Sequence, residues 1–224
     1  MNNDYQKYFI QNGRHVGDYE AMYQNCSDPW RIEELGIRLD MRAALLLLDY
    51  LPENIAHALD GGCGTGLFSE QIIALLRKKS PQCHLTLTDI SPTALLKAQK
   101  RLEGQAVDGF KIEYLTFDLR LLGDNLSPIL DLSFDLIILA QVLWGLIENL
   151  EGLFPNVARK LKPNGYLLIS QHFPKPHEQT YAVDKITGAN DLQDLAVLAG
   201  FKLQHSLETD RHLNGHFAAL WSWN

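Results

Sequence analysis

The residues best placed to do chemistry are an acid and three glycines that follow a short apolar run. Asp60 comes directly after Leu59, and Gly62, Gly64 and Gly66 follow at every second position. The glycines remove side chains where a ligand must approach the backbone, and the apolar residues after them recur at helical spacing. A pyrophosphate would be repelled by Asp60, whereas the ammonium group of an amino-acid-like cofactor would be attracted. The segment therefore predicts a strand, a tight turn and a helix around an amino-acid-like ligand.

Two further acids end predicted strands. His84 to Asp89 alternates as a strand should and finishes on Asp89, and Phe110 to Phe117 is followed by Asp118. The carboxyl ends of parallel strands form one edge of a sheet, where such sheets bind ligands. Taken singly, each of these acids could instead be a helix cap or a turn former. Three acids in register with a glycine loop are more readily explained as a binding site.

The Asp60-to-Gly66 segment resembles the first motif of the class I S-adenosylmethionine-dependent methyltransferases. The resemblance covers about residues 19–223 and implies S-adenosylmethionine as cofactor. It assigns the methionyl ammonium to Asp60, the ribose hydroxyls to Asp89 and the adenine edge to Asp118. The full set of cofactor-binding residues expected from it is Asp60, Gly61, Gly62, Gly64, Asp89, Ile90, Asp118, Leu119, Ala140 and Gln141.

The acceptor side carries weaker signals. His172 follows the fifth predicted strand and is our candidate for the catalytic base, with His177, Glu178 and Tyr181 as further candidates. The substrate-binding residues we expect are Tyr23, Trp30, Trp144, Arg211, His212 and His216. Methyl transfer from a sulfonium needs no metal, so we expect no metal site.

The nature of the acceptor follows only in part. Gln141-Val142-Leu143-Trp144 lacks the Asn/Asp-Pro-Pro-Tyr pattern with which family members methylate nucleobase amines. Ser27-Asp28-Pro29-Trp30 is similar to the entry segment of nodulation-type (NodS-like) N-methyltransferases. We therefore expect a small-molecule acceptor, methylated at an amine nitrogen or a hydroxyl oxygen. A non-catalytic S-adenosylmethionine-binding regulatory or partner protein is the alternative.

Strand and helix alternate five times, which predicts an α/β fold with a doubly wound, Rossmann-like sheet and helices on both faces. The last two of seven strands are joined by about seven residues, too few for a parallel crossover, so the last strand should be reversed. A dinucleotide fold ordinarily lacks that strand, and no Tyr-x-x-x-Lys pair follows the fourth strand, so a dehydrogenase is disfavoured. Residues 1–30 should form an amino-terminal helical cap or a lid, and residues 31–224 a single methyltransferase domain.

Residues 31–50 read as one long helix with an apolar stripe that includes Leu35, Leu39 and Leu46. On that reading, Arg38, Asp40 and Arg42 lie on solvated faces. The alternative is that Arg42 reaches a cofactor carboxylate.

Charge and composition limit the partners. A net charge of −7 gives no electrostatic footprint for nucleic acid or an anionic membrane. The longest apolar run is too short to span a bilayer. Three cysteines without metal-ligand spacing suit a reducing compartment. We expect a cytoplasmic protein, either a monomer or a homodimer.

Overall fold

The amino-terminal segment forms a cap in the computed structural model, which describes residues 5–124, 129, 132–210, 212 and 215–223. The cap consists of helix α1 (Gln6–Phe9), a hairpin of β1 (Ile10–Gln11) and β2 (Arg14–His15), and helix α2 (Tyr19–Asn25). Met22 and Tyr23 of α2 are buried against Ala94. The helical cap is thus confirmed, with a short hairpin that the sequence did not predict. Whether the cap moves as a lid stays a prediction.

Residues 31–50 are not one helix, so that prediction is wrong. Helix α3 (Ile32–Leu35) ends at Gly36, whose φ of +74° is in the left-handed region. Helix α4 (Leu39–Leu47) follows and continues into a 3₁₀ turn (Leu48–Tyr50). Of the predicted apolar stripe, Leu35, Leu39, Leu46 and Tyr50 are exposed, whereas Ala43 and Leu47 are buried. Asp40, expected in solvent, is fully buried.

A seven-stranded sheet crosses the molecule. Its strands are β3 (His57–Gly61), β4 (His84–Asp89), β5 (Lys111–Thr116), β6 (Phe134–Ala140), β7 (Leu161–Phe173), β8 (Lys202–Glu208) and β9 (Gly215–Ser222). They are ordered β5-β4-β3-β6-β7-β9-β8. Neighbours from β5 to β7 are parallel, and β9 is antiparallel to both β7 and β8. The doubly wound sheet with a reversed last strand is confirmed.

Helices cover both faces of this sheet, as predicted. They are α4 together with α5 (Leu67–Lys79), α6 (Pro92–Arg101), α7 (Leu143–Leu146), α8 (Leu150–Lys160) and α9 (Ala189–Leu198). In β6, Ile137 and Leu139 pack with residues of α8 and α9, while Leu136 and Ile138 pack with residues of α4 and α5. A strand buried on both faces needs the continuous apolar run that the sequence showed. None of the helices in the described ranges is long and apolar enough to cross a membrane.

Some boundaries differ from those predicted. The first sheet strand ends at Gly61 rather than Leu59, which places Asp60 within it. The helical region after β6 is divided by a 3₁₀ turn (Ile147–Asn149), and Pro155 lies inside α8. Proline removes a backbone bond to the Glu151 carbonyl, and Glu151 is exposed, so water can satisfy that oxygen.

Candidate functional site

A cavity of about 740 Å³ opens at the carboxyl edge of β3, β4 and β6, beside the point where the strand order reverses. Predicted cofactor residues and predicted acceptor residues line this same space. They are Asp60, Gly62, Gly64, Asp89, Ile90, Asp118, Leu119, Ala140, Gln141, Tyr23, Trp30, Trp144 and His172. Gly61 lies one residue before the turn and faces Leu119 and Leu139.

The glycine loop is shaped by close packing as well as by backbone conformation. Gly62 has a φ of +75°, and a Cβ there would lie 2.2 Å from Val142 Cγ1. A Cβ on Gly66 would lie 3.1 Å from Ala98, at the contact between α5 and α6. The loop leaves Gly64 backbone at the cavity wall, where its N–H donates to Asp89 Oδ2 at 2.9 Å. The cradle therefore offers main chain rather than side chain to a ligand.

Asp60 and Asp89 are buried acids with few hydrogen-bond donors around them. Asp60 accepts from Ser69 Oγ at 2.6 Å, and burial raises its pKa to about 6. Asp89 accepts from the N–H groups of Gly64 and Ser91, each at 2.9 Å. Burial raises the pKa of Asp89 to about 6 despite those bonds. Such incompletely compensated carboxylates fit a ligand that brings a positive charge and hydroxyl donors.

Asp118 is in a different state. Its carboxylate is ion-paired with Arg120 at 2.6 Å and also accepts the Arg120 backbone N–H at 2.9 Å. Burial alone would raise its pKa, but the hydrogen bonds from Arg120 outweigh burial and hold the pKa below the usual value. The alternative reading as a turn former applies here, because Asp118 begins the 3₁₀ turn Leu119–Leu121. A ligand at Asp118 must share it with Arg120.

The acceptor side is aromatic. His172 lines the cavity near the end of β7, and its backbone oxygen accepts from Trp144 Nε1 at 3.0 Å. Tyr23 Oη accepts from Trp30 Nε1 at 3.0 Å, which fixes both rings at the wall. His216 is the register partner of His172 on β9, and the ring centroids are 5.2 Å apart.

Of the predicted acceptor residues that the structure describes, His212 and His216 do not line this cavity. His212 is exposed, and its N–H donates to Asp210 Oδ1 at 2.8 Å. Arg211 lies outside the described residues. Their roles stay predictions. Across the described chain, no group of three or more His, Cys, Asp or Glu side chains could hold a metal ion.

Sequence reasoning missed Asp40 and Arg38. Asp40 is fully buried and accepts from His216 Nδ1 at 2.7 Å, from Ser170 Oγ at 3.0 Å and from Gln141 Nε2. Arg38 lines the cavity and donates through Nη2 to Gln141 Oε1. Gln141 itself has a φ of +61° immediately after β6. The only sequence signal was that Arg38, Asp40 and Arg42 interrupt an apolar stretch. That pattern did not show which face of α4 is buried.

Two buried polar atoms of cavity residues have no hydrogen-bond partner among the described residues. They are Arg38 Nε and Tyr181 Oη. Burying an unpaired polar atom costs about 1–3 kcal/mol, so Tyr181 Oη favours a polar ligand. Arg38 Nε lies 3.6 Å from Asp40 Oδ1, within ion-pair distance. The charged and hydrogen-bonding groups that line the cavity thus fit a molecule with an anionic group, a cationic group and hydroxyls.

Comparisons with known proteins agree with this geometry. A family described as a methyltransferase domain matches residues 59–167, from within β3 to within β7. Nodulation protein S of Rhizobium tropici is 30% identical over 144 residues, covering 63% of this chain and 53% of that protein. Ribosomal RNA small subunit methyltransferase C of Pseudomonas putida (strain W619) is 37% identical over 95 residues, covering 39% and 27%. The chain therefore spans about half or less of these two curated relatives.

A solved structure shares the fold over nearly the whole chain. It is the N-methyltransferase NodS of Bradyrhizobium japonicum WM9 in complex with S-adenosyl-L-homocysteine. The TM-score is 0.68 at 19% identity, and the match covers 91% of this chain and 97% of that chain. At this identity the likeness concerns the fold.

Proposed function

This chain belongs to the class I S-adenosylmethionine-dependent methyltransferases, and from that premise we propose that it methylates a small-molecule acceptor. The methyl donor is S-adenosylmethionine, and the acceptor atom is an amine nitrogen or a hydroxyl oxygen. One observation carries the proposal: a single cavity joins the glycine loop and three strand-end acids to an aromatic wall with His172.

The buried acids are suited to the charged and hydroxyl groups of the donor. When bound, S-adenosylmethionine supplies an electrophilic methyl group on a positively charged sulfur. Asp60 holds the α-ammonium group, aided by the backbone carbonyls of Ala140 and Gln141. Asp89 accepts the ribose hydroxyls. Binding a cation and hydroxyl donors compensates the two carboxylates that burial leaves with raised pKa values.

Two further residues are expected to contact the methyl donor. Asp118 is already ion-paired with Arg120, and Arg38 was not selected from the sequence. Asp118 and the Leu119 N–H contact the adenine edge, with Asp118 still sharing its carboxylate with Arg120. Arg38 binds the donor's carboxylate, because its guanidinium lines the cavity. Arg42, the earlier candidate, is exposed, and its Nε donates to the Ile37 oxygen.

His172 acts as the base on the acceptor side. A neutral imidazole can take the proton that the acceptor must lose, and His172 shares the wall with Trp144. An amine nitrogen is favoured over a hydroxyl because the structural relative is an N-methyltransferase. The net charge of −7 supports a small acceptor rather than nucleic acid. Three free cysteines support a place in the cytoplasm, as a monomer or homodimer.

Calorimetry with S-adenosylmethionine and S-adenosylhomocysteine tests donor binding, which we expect at about micromolar strength. Tight binding of NADH with no binding of either compound would contradict the proposal. Binding of both, with no methyl transfer to any of a panel of small amines and alcohols, would favour the non-catalytic alternative.

His172→Ala tests the base. The variant should bind the donor within a few-fold of wild type while turnover falls by about 10²-fold or more. His205→Ala is the matched control, because His205 is exposed on β8 and stacks on Tyr50 outside the cavity. Normal turnover by His172→Ala would remove His172 from the mechanism.

A further inference from the structure

A fully buried carboxylate lies behind the histidine on the cavity wall. Asp40 of α4 has 0% exposure, and its Oδ1 is 2.7 Å from His216 Nδ1. Its other oxygen accepts from Ser170 Oγ and Gln141 Nε2. When Asp40 is ionised its carboxylate only accepts hydrogen bonds, and His216 then donates through Nδ1. Asp40 therefore fixes both the tautomer and the orientation of the His216 ring.

His216 is in turn packed on His172. The two residues are opposite each other in the β7–β9 register, with ring centroids 5.2 Å apart and planes inclined at 55°. His172 lines the cavity, whereas His216 is 12% exposed and contacts the core acid. The three side chains thus form a row from the core to the cavity wall, contributed by three different elements.

We propose that Asp40 and His216 are positioning residues for His172: they orient its ring towards the acceptor and stabilise the positive charge that it gains. The inference rests on the proposed function, in which His172 is the base. In the proton transfer, an N–H bond of the acceptor's ammonium form breaks, and its electron pair stays on nitrogen as the lone pair of the neutral amine. The proton binds the unprotonated ring nitrogen of His172, which becomes an imidazolium. The nearby negative charge of Asp40 favours that product.

Other charged groups modulate the same region. Arg38 Nε lies 3.6 Å from Asp40 Oδ1, so part of the carboxylate charge is balanced by a cation. Glu178 and Tyr181, from the segment after β7, also line the cavity that His172 faces. A buried carboxylate is costly unless its hydrogen bonds are satisfied, and here three donors converge on it. The contact of Asp40 with His216, which packs on His172, thus explains an acid at this core position better than packing does.

Asp40→Asn tests the inference, because it keeps the shape and removes the charge. NMR titration of His172 in the ligand-free protein should show a midpoint lower than in wild type by about half a pH unit or more. Turnover should fall by about 10-fold or more, with S-adenosylhomocysteine affinity within a few-fold. In a His172→Ala background, Asp40→Asn should change turnover by less than about 2-fold, since residues acting through one group are not additive.

Ser170→Ala is the matched control. It removes another hydrogen bond to the same carboxylate and should lower the melting temperature, but the His172 titration midpoint should not move. Should Asp40→Asn fail to fold, His216→Asn replaces it, and the His172 midpoint should shift there too because the ring that holds His172 is gone.

The outcomes separate this inference from the proposed function. Normal turnover by His172→Ala would overturn the base assignment and with it the positioning role. If His172→Ala loses turnover, two results together would overturn the positioning role alone. The His172 midpoint would be unchanged in Asp40→Asn, and Asp40→Asn would lower turnover by the same factor with and without His172. A shifted midpoint with no additional loss in the double variant would support it.

Discussion

Asp60→Asn should stabilise the ligand-free protein at pH 7 while weakening donor binding. Burial raises the pKa of Asp60 to about 6, so at pH 7 the group is ionised in a site that disfavours its charge. Asparagine keeps nearly the same shape and carries no charge. The residue that we propose holds the donor's ammonium is therefore one that the ligand-free protein would be more stable without.

The size of the effect follows from the pKa shift. A folded-state pKa raised from 3.8 to about 6 gives stability that is present below pH ~4 and lost as the pH rises through ~6. At pH 7 the ionised Asp60 therefore destabilises the wild type by about 3 kcal/mol. The variant avoids this cost but weakens the hydrogen bond from Ser69, which costs it about 1 kcal/mol. We expect a net gain of about 2 kcal/mol, or about 4–8 °C in melting temperature for a chain of this size. Affinity for S-adenosylhomocysteine should fall by about 10- to 150-fold, the worth of a charged hydrogen bond.

Calorimetric melting at pH 7 and pH 4.5 measures the gain. At pH 4.5 the wild-type carboxyl is largely protonated, so the variant's advantage should nearly vanish. Binding calorimetry at pH 7 measures the loss of affinity. A variant that is destabilised equally at both pH values would refute the reasoning, because the charge of Asp60 would then not be the strained element.

Three further results are expected. Affinity of the wild type for S-adenosylhomocysteine should fall by about 10-fold or more between pH 7 and pH 5, since Asp89, like Asp60, has a pKa of about 6 and must bind the ligand ionised; a flat calorimetric profile would contradict this. Gly62→Ala should lower the free energy of unfolding in urea by about 1–3 kcal/mol, because its Cβ would meet Val142 at 2.2 Å. In contrast, Gly152→Ala in α8 meets nothing within 4 Å and should stabilise by up to about 1 kcal/mol. Glu20→Gln weakens hydrogen bonds from the start of α6 to the cap, so limited proteolysis within residues 5–30 should accelerate; unchanged cleavage would mean that other contacts hold the cap.

Much of the fold was predictable because strong local signals agreed with the tertiary context. The apolar run of β6 matched its strand from Phe134 to Ala140. Ser91 caps α6 by accepting from the Ala94 N–H at 3.0 Å, with Pro92 in the first turn. The glycine loop and the strand-end acids converged because parallel strands share one carboxyl edge. In each case a local pattern had a single plausible structural use.

The sequence prediction missed the part of the site around Asp40. Gly36 ends α3 in a left-handed conformation, and α4 begins at Leu39. A helical stripe drawn through that break places Asp40 in solvent, whereas the actual helix buries it beside His216. Within α4 itself the apolar stripe contains exposed Leu46 as well as buried Leu47, so periodicity alone did not define the buried face. The partner of Asp40 is also 176 residues away along the chain, so no local pattern could pair them.

The glycines and the acid of the first loop would have different evolutionary fates. Val142 and Ala98 occupy the space beside Gly62 and Gly66, so both glycines are held in place by neighbours within the protein. A descendant that lost the reaction would still be selected to keep them. Asp60 has no such protection, because its burial is unfavourable without a cationic ligand. The glycines thus reflect the packing of the loop, whereas the buried acid beside them reflects the charge of the ligand that the cavity fits.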